Sequence, residues 1–441
     1  MFQSTKSRGS NMFDIRYYKP FKMYLQFLGQ YPTQSRLIGN LNVTVIICSL
    51  VSLMIPAISQ TYISIIEKNL DAAMESIPIL VTIIVCVIKL LNHKINKEKV
   101  FVSEIYVANT VGLPCIFYVI GSPTACTRIT KYSFYAVVCV SQYDNLFDLV
   151  NQEWESVKSS ENQTIYVLDS VTRHGHVLGE AYRTTLLLFM IFFLFVPLFP
   201  PLMDVILPLN ETRQRQQMFR LNYFVDKDEY FYPIYFHCSW CSFLIVIITV
   251  AMDSLRMVLV HHACGLFAVC GYQIGKVTEG NLRRSGTLFE QIKKCVTTHK
   301  EALRFYGIID NSSRTSYFFI ILFNMIGITV TAVQIVLYLH KPEEALRIAV
   351  FLIAQQFHLL IVTLPGQVLV DYSSELATDV YCSAWYQLPT NIQKMLYIMQ
   401  IRSGKACKLT AGGLYEMNIE NFGTTFKTCA SYFTMLLSLK D

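Results

Sequence analysis

The chain has 441 residues, 53% of them hydrophobic and only 15% charged, well under the quarter typical of a soluble globular protein. With a mean hydropathy of +0.38 it reads as a polytopic membrane protein. The formal net charge of +6 gathers into no basic stripe with interleaved aromatics, which excludes a nucleic-acid partner.

Residues 1–37 hold Lys6, Arg8, Arg16, Lys19, Lys22 and Arg36 but no apolar core of signal-peptide length, and are expected to form a cytosolic N-terminal segment. Apolar windows near the length that crosses about 30 Å of hydrocarbon follow at 38–61, 72–91, 184–207, 233–262, 317–339, 346–370 and 418–439. They predict an all-α polytopic membrane protein with seven transmembrane helices. Residues 38–370 hold the first six with their loops, 371–417 form a cytosolic anchor region with the inner half of the seventh, and 418–441 its outer half.

The segment 100–142 interrupts this pattern. Its apolar run from Tyr106 to Ile120 is short for a span and broken by Gly112 and Pro114. Two readings stand: a retained intron or gene-model error, or a membrane-associated insert. Every Val codon begins GT and Gln can be CAG, so both splice signals fit in frame. Without the segment, NHKINKEK joins YDNLFDLVNQEWESV, an amphipathic helix.

The fourth span exceeds what a bilayer requires, and its end, with Asp253, Arg256, His261 and His262, is expected to project into water. Asp253 and Arg256, three apart, share a helix face and read as a structural ion pair rather than an ion pathway. Lys and Arg residues set the orientation. With the N-terminus inside, the inner segments hold twenty-five and the outer segments eight, which puts the N-terminus in the cytosol and the C-terminus outside. Asn210, in an Asn-Glu-Thr sequon, then lies in an external loop and is the expected glycosylation site, while Asn162 and Asn311 lie inside.

The thirteen cysteines lie mostly in apolar spans or cytosolic segments and read as small apolar residues or reduced thiols. The CxxC of Cys238 and Cys241 has no second pair to complete a metal site. There is no HExxH, no GxSxG and no paired intramembrane Asp, so neither an enzyme nor a cofactor is expected. DRY, NPxxY and CWxP are missing too, and the charge bias opposes a G-protein-coupled receptor.

In the last helix, every third or fourth residue is polar but for one: Asn421, Thr424, Thr428, Ser431, Met435 and Ser438 make a continuous stripe. Asn418 is placed to cap it. Periodicity leaves two explanations open. Small polar residues let helices pack closely, or the stripe borders water with Met435 as an apolar constriction.

SYFTMLLSLK (431–440) resembles the carboxyl end of insect odorant receptors. KPFKMYLQFLGQYP (19–32), EYFYPIYFH (229–237), HHACGLFAVCGYQI (261–274), AWYQLP (384–389) and QKMLYIMQIRSGKACKLTAGGLYEMN (393–418) resemble further family landmarks, in order. The resemblance implies a ligand-gated, non-selective cation channel in the plasma membrane of olfactory-neuron dendrites. It implies a heterotetramer in which the final helices line the pore and 371–417 supply most intersubunit contact. Met435 would be the gate and Ser438 the polar position one turn outward, with Ser431, Thr428 and Thr424 behind them. The segment 275–316 lacks the long cytosolic insertion of the shared co-receptor, so the chain resembles an odour-tuning subunit that partners it. A small volatile ligand would bind in the outer half of the membrane, among Met74, Ile77, Phe192, Phe195, Phe236, Trp240 and Phe351, with Tyr235 or His237 offering a hydrogen bond. The sequence leaves the direction of Lys427 open.

Overall fold

The computed structural model describes residues 12–67, 70–97, 142–159, 162–207, 213, 215, 217–279 and 285–438. Asn210 and, but for its last residue, the segment 100–142 lie outside them. Backbone groups in hydrocarbon must bond within the chain, and this sequence meets that demand with helices. In order they are α1 (Lys19–Phe27), α2 (Arg36–Ile66), α3 (Leu70–Lys97), α4 (Gln142–Lys158), α5 (Asn162–Phe195), α6 (Phe199–Ile206), α7 (Phe231–Glu279), α8 (Ser285–Leu337), α9 (Pro342–Cys382), α10 (Thr390–Ser403) and α11 (Ile419–Ser438). Among the described residues, five stretches are long and apolar enough to cross a membrane: Arg36–Ile66, Asn162–Ile206, Phe231–Thr278, Leu288–Leu337 and Ala345–Cys382. Ser76–Leu91 within α3 is a shorter apolar helix, and α11 adds 20 residues. The protein is an all-α polytopic membrane protein. The amphipathic run after residue 142 is indeed helical, as α4.

Two helices outrun a bilayer more than twofold. At about 1.5 Å per residue, the 49 residues of α7 reach about 73 Å and the 53 of α8 about 80 Å, against roughly 30 Å of hydrocarbon. They therefore build a second, non-membrane layer. Within the most apolar window of α7, 78% of residues are buried, against 17% to 50% for the other four spans. Helix α7 is the central pillar, and the others divide their surface between it and the surroundings.

The C-terminal half of α7 departs from the sequence expectation. Asp253, Arg256, His261 and His262 do not reach water; all four are buried. Packing explains this. Gly175 of α5 lies so close to the His261 ring that a Cβ there would collide with it. The His262 ring stacks on Trp154 of α4 at 6.1 Å and meets Phe305 of α8 at 5.1 Å, and its Nε2 lies 3.1 Å from Glu153 Oε2. Burial lifts the Glu153 carboxyl above its usual range, opposed by the hydrogen bond and charge of His262. Nearby, Tyr17 donates to Asp169 at 2.7 Å, and burial together with that bond pushes its pKa up to about 12.

Asp253 has a nearer partner than the one the sequence offered. Arg256 stands 3.9 Å away, whereas Lys89 of α3 lies 2.6 Å from Asp253 Oδ2. Lys89 and Asp253 are 0% and 2% exposed. Lys89 also reaches His358 Nε2 of α9 at 3.5 Å, His358 Nδ1 meets the Tyr182 hydroxyl of α5 at 2.8 Å, and Tyr182 donates to Asp253 at 3.2 Å. With the ammonium donating to Nε2, Nδ1 carries the ring proton and Tyr182 accepts it, which leaves the phenol hydrogen for the carboxylate. Four helices are tied by this loop of donors. Arg256 is set over the Tyr317 ring of α8, 4.7 Å from its centroid.

Beyond α10 the chain makes a two-stranded hairpin, β1 (Thr410–Ala411) against β2 (Tyr415–Glu416), with Thr410 opposite Glu416. Its turn requires Gly412 and Gly413, which adopt φ of +65° and +75°. Asp310 of α8 accepts from the Thr410 amide at 2.9 Å, and Gly366 of α9 lies directly under the Met417 carbonyl. This clamp fixes where α11 begins. Asn418 caps α11 as expected, its Oδ1 accepting from the Asn421 amide at 2.8 Å.

Candidate functional site

Two features could carry function: a cavity at one end of the bundle and the free face of α11. The cavity has a volume of about 60 Å³ and is lined from five directions. Helix α3 gives Pro78 and Ile79, α5 gives Phe193, α8 and the residue after it give Gln334 and Tyr338, and α9 gives Arg347, Ile348 and Phe351. The fifth wall is the loop before α7, through Met218, Phe219 and Arg220.

That loop is apolar as well as charged (MFRLNYF, 218–224), so Met218 and Leu221 bury themselves in the bundle. Arg347 secures it by donating to the carbonyls of Gln217 and, at 3.1 Å, Met218. Arg220 donates to the Tyr338 hydroxyl at 3.0 Å and lies 5.1 Å from the centre of that ring. Further along, the Asn222 amide donates to the Pro56 carbonyl of α2 at 3.2 Å. Tyr223 meets His237 Nδ1 at 2.8 Å, and the other ring nitrogen meets Ser52 at 2.8 Å. Phe224 follows with a φ of +59°, which turns the chain back outward.

The structure places the sequence-derived candidates as follows. Phe351 lines the cavity. Ile77 is half-buried beside the lining pair Pro78 and Ile79, and the Met74 side chain lies outside the described residues. Phe192 and Phe195 are exposed on either side of Phe193, the α5 residue that does line it. Phe236 and Trp240 are exposed, and the Trp240 indole donates to Ser49 of α2 at 3.3 Å. Tyr235 donates to the Leu194 carbonyl at 3.0 Å. The sequence reading passed over Arg220, Gln334, Tyr338 and Arg347. The aromatic and apolar residues flanking Arg220 were the available signal, because a purely solvated loop has no use for them.

Helix α11 packs on α8 through Thr425 and Cys429, both buried, with the Cys429 thiol 3.9 Å from the Met325 carbonyl. The stripe faces elsewhere. Thr424, Ser431, Met435 and Ser438 are exposed and Thr428 half-buried, so among the described residues no helix covers that face. Each hydroxyl on it bonds back to its own helix: Thr424 to Glu420 at 3.2 Å, Thr428 to Thr424 at 2.9 Å, Ser431 to Lys427 at 3.1 Å and Ser438 to Met435 at 2.9 Å. Hydroxyls satisfied in this way leave no orphaned donor. Lys427 is exposed beside them, while Glu416 is held by Lys408 at 2.9 Å. Among the described residues no cluster of His, Cys, Asp and Glu could hold a metal ion.

A long helical bundle around one buried helix, a small cavity at its rim and a short polar-faced closing helix define a polytopic helical membrane protein. The chain belongs to the 7tm odorant receptor family, whose model matches residues 127–430. It is 21% identical over 215 residues to odorant receptor 63a of Drosophila melanogaster, and 22% identical over 185 residues to odorant receptor Or2 of Anopheles gambiae. These alignments cover 48% and 39% of this chain, and 51% and 48% of those relatives; the chain thus spans about half the length of the curated relatives it matches. Its fold is that of the insect olfactory receptor OR5 from Machilis hrabei, solved with eugenol. The TM-score is 0.69 at 10% identity, over 97% of this chain and 99% of that one. Members of this family are receptors and not enzymes.

Proposed function

We propose that this chain is the odorant-binding subunit of a ligand-gated, non-selective cation channel. It assembles with co-receptor subunits into a heterotetramer in the plasma membrane of olfactory-neuron dendrites. The chain crosses the membrane seven times, α3 and α11 supplying the second and last crossings, with the N-terminus in the cytosol and the C-terminus outside. Asn210 then carries a glycan. The cavity bounded by the 217–224 loop takes the odorant, and α11 lines the pore with Met435 at its gate and Ser438 one turn beyond.

The observation that carries this reading is the free face of α11. An ammonium at mid-helix facing lipid costs about 2.5–3.5 kcal/mol, and Lys427 is exposed at mid-helix among exposed hydroxyls. A face that is wet or covered by another subunit avoids that cost. Assembly draws support from the region before α11. A groove of about 250 Å³ there is lined by Trp385, Leu396 and Tyr397 among others, and Tyr397, Ile398 and Ile401 stand exposed around it. Exposed apolar side chains gathered on the non-membrane layer mark a protein contact.

The test is thiol access. Cysteines installed at 424, 428, 431 and 438 in the full chain, co-expressed with a co-receptor, should react with small water-borne thiol reagents faster when agonist is present, and the current should fall. Inert cysteines under agonist would end the pore assignment. The same recordings in cells lacking heterotrimeric signalling separate a channel from a coupled receptor.

A further inference from the structure

Helix α1 and the opening turns of α2 leave one amphipathic surface uncovered among the described residues. Along α1, Phe21 and Leu25 are buried, as is Leu28 just past its end, whereas Lys19, Lys22, Met23 and Phe27 are exposed. That is the two-faced pattern of an amphipathic helix. The surface continues onto α2, where Arg36 and Leu41 are exposed. Resting on the cytosolic placement of the N-terminus above, we propose that this surface binds anionic phospholipid of the cytosolic leaflet. Lys19, Lys22 and Arg36 take the headgroup, and Met23, Phe27 and Leu41 lie against the acyl chains.

Three observations support this choice. The first is how the surface is held. The backbones of Gly29, with a φ of +70°, and Gly39 approach so closely that a Cβ on either would meet the other's carbonyl oxygen. The Asn42 side chain donates to the carbonyls of Gln26 and Phe27, each at 3.2 Å. The end of α1 is thereby fastened against the start of α2, and Lys22 stands 5.8 Å from the centre of the Tyr31 ring in the link between them. The second is depth. The Phe27 ring lies 6.4 Å from that of Phe243. Helix α7 starts at Phe231, so Phe243 stands about 18 Å along it, inside the span expected at 233–262. An apolar side chain exposed at that depth meets acyl chains instead of water. The third is charge. From residue 15 to residue 66 the sequence contains no Asp or Glu, so the basic edge has no acid of its own segment beside it. Two carboxylates of α5 reach this region, and both are engaged. Asp169 accepts from Tyr17, and Glu180 pairs with Arg183, whose guanidinium lies 6.0 Å from the centre of the Tyr24 ring. A zwitterionic lipid offers the apolar contact but no net charge, whereas an anionic one answers both halves of the surface.

The experiment reconstitutes the purified full chain in phosphatidylcholine vesicles carrying an equal share of a photoactivatable lipid. The probe is either phosphatidylserine or phosphatidylcholine, with a diazirine in the acyl chain, and labelled residues are mapped by mass spectrometry after irradiation. Leu188 and Ile191 of α5, both exposed, serve as the reference that reports insertion of every variant. The serine lipid should label 19–41 about fivefold or more above the choline lipid, the effect of at least one basic residue at an anionic surface. Lys19→Gln and Arg36→Gln should each lower that ratio about fivefold, while Lys19→Arg keeps it. Added salt should lower it too, because exposed charges are screened. Equal labelling of 19–41 by the two lipids overturns the anionic preference. Labelling of Leu188 and Ile191 with none at 19–41 shows that protein covers the face, and overturns the proposal as well. Both leaflets of the vesicle carry the probe, so the outcome does not depend on which way the chain points. Orientation fails separately: a glycan on Asn162 instead of Asn210 would reverse it and remove the surface from the cytosolic leaflet.

Discussion

Removing Lys89 tests whether the buried loop of donors holds the bundle together. In Lys89→Met the methylene stem is largely kept and the ammonium is lost, so Asp253 Oδ2 forfeits its 2.6 Å partner inside a site where both side chains are essentially unexposed. Breaking a buried pair from one side costs about 3–5 kcal/mol. The lower end is expected, because Tyr182 still donates at 3.2 Å and Arg256 stands at 3.9 Å. The reciprocal change, Asp253→Leu, strands an ammonium whose other contact is His358 at 3.5 Å, and should cost more. Unfolding entropy scales as about 2.1 cal/mol/K per residue, roughly 0.9 kcal/mol/K for a chain of this length, so 3 kcal/mol lowers Tm by about 3 °C. Thermal denaturation of the purified full chain, followed by size-exclusion, reads this directly. The double variant Lys89→Met with Asp253→Leu removes both charges and should recover much of the loss. Single variants that melt with the parent, or a double variant no better than the worse single, would refute the reasoning.

Two further outcomes follow from packing and burial. Gly366→Ala drives a Cβ into the Met417 carbonyl oxygen; backbone cannot yield as a side chain does, so the start of α11 must shift, and agonist-evoked current should drop severalfold at equal surface density. Glu153 has a carboxyl pKa raised above 4.5 by burial, so its contribution to stability is full below the unfolded value and is lost as pH rises through the folded one. Glu153→Gln cannot ionise, and its Tm should vary less between pH 5 and pH 8 than that of the parent; an unchanged pH dependence would exclude Glu153 as its source.

Much of this architecture was legible in the chain. Apolar length alone located the five stretches that are long and apolar enough to cross a membrane among the described residues, and the Asn418 cap and the α4 helix followed from local rules that need no tertiary partner. Two things were not. One is the depth of the polar end of α7: Asp253 and His262 look like an aqueous terminus until Lys89, Glu153 and Trp154 arrive from segments more than a hundred residues away. The other is the rotation of each helix about its axis. Adjacent residues on a helix differ by about 100°, so an aromatic-rich stretch such as 189–195 offers several candidates, and packing against α9 and the 217–224 loop selects Phe193. Lys and Arg counting treated that loop as solvent-facing, and thereby passed over Arg220.

The concentration of burial in α7 also bears on how such a chain can change over generations. Where one rod carries most of the interlocking contacts, substitutions on the surrounding rods that exchange one oily side chain for another meet little resistance. Lineages can then rewrite most of their letters, as the 10% identity with a receptor of the same fold illustrates.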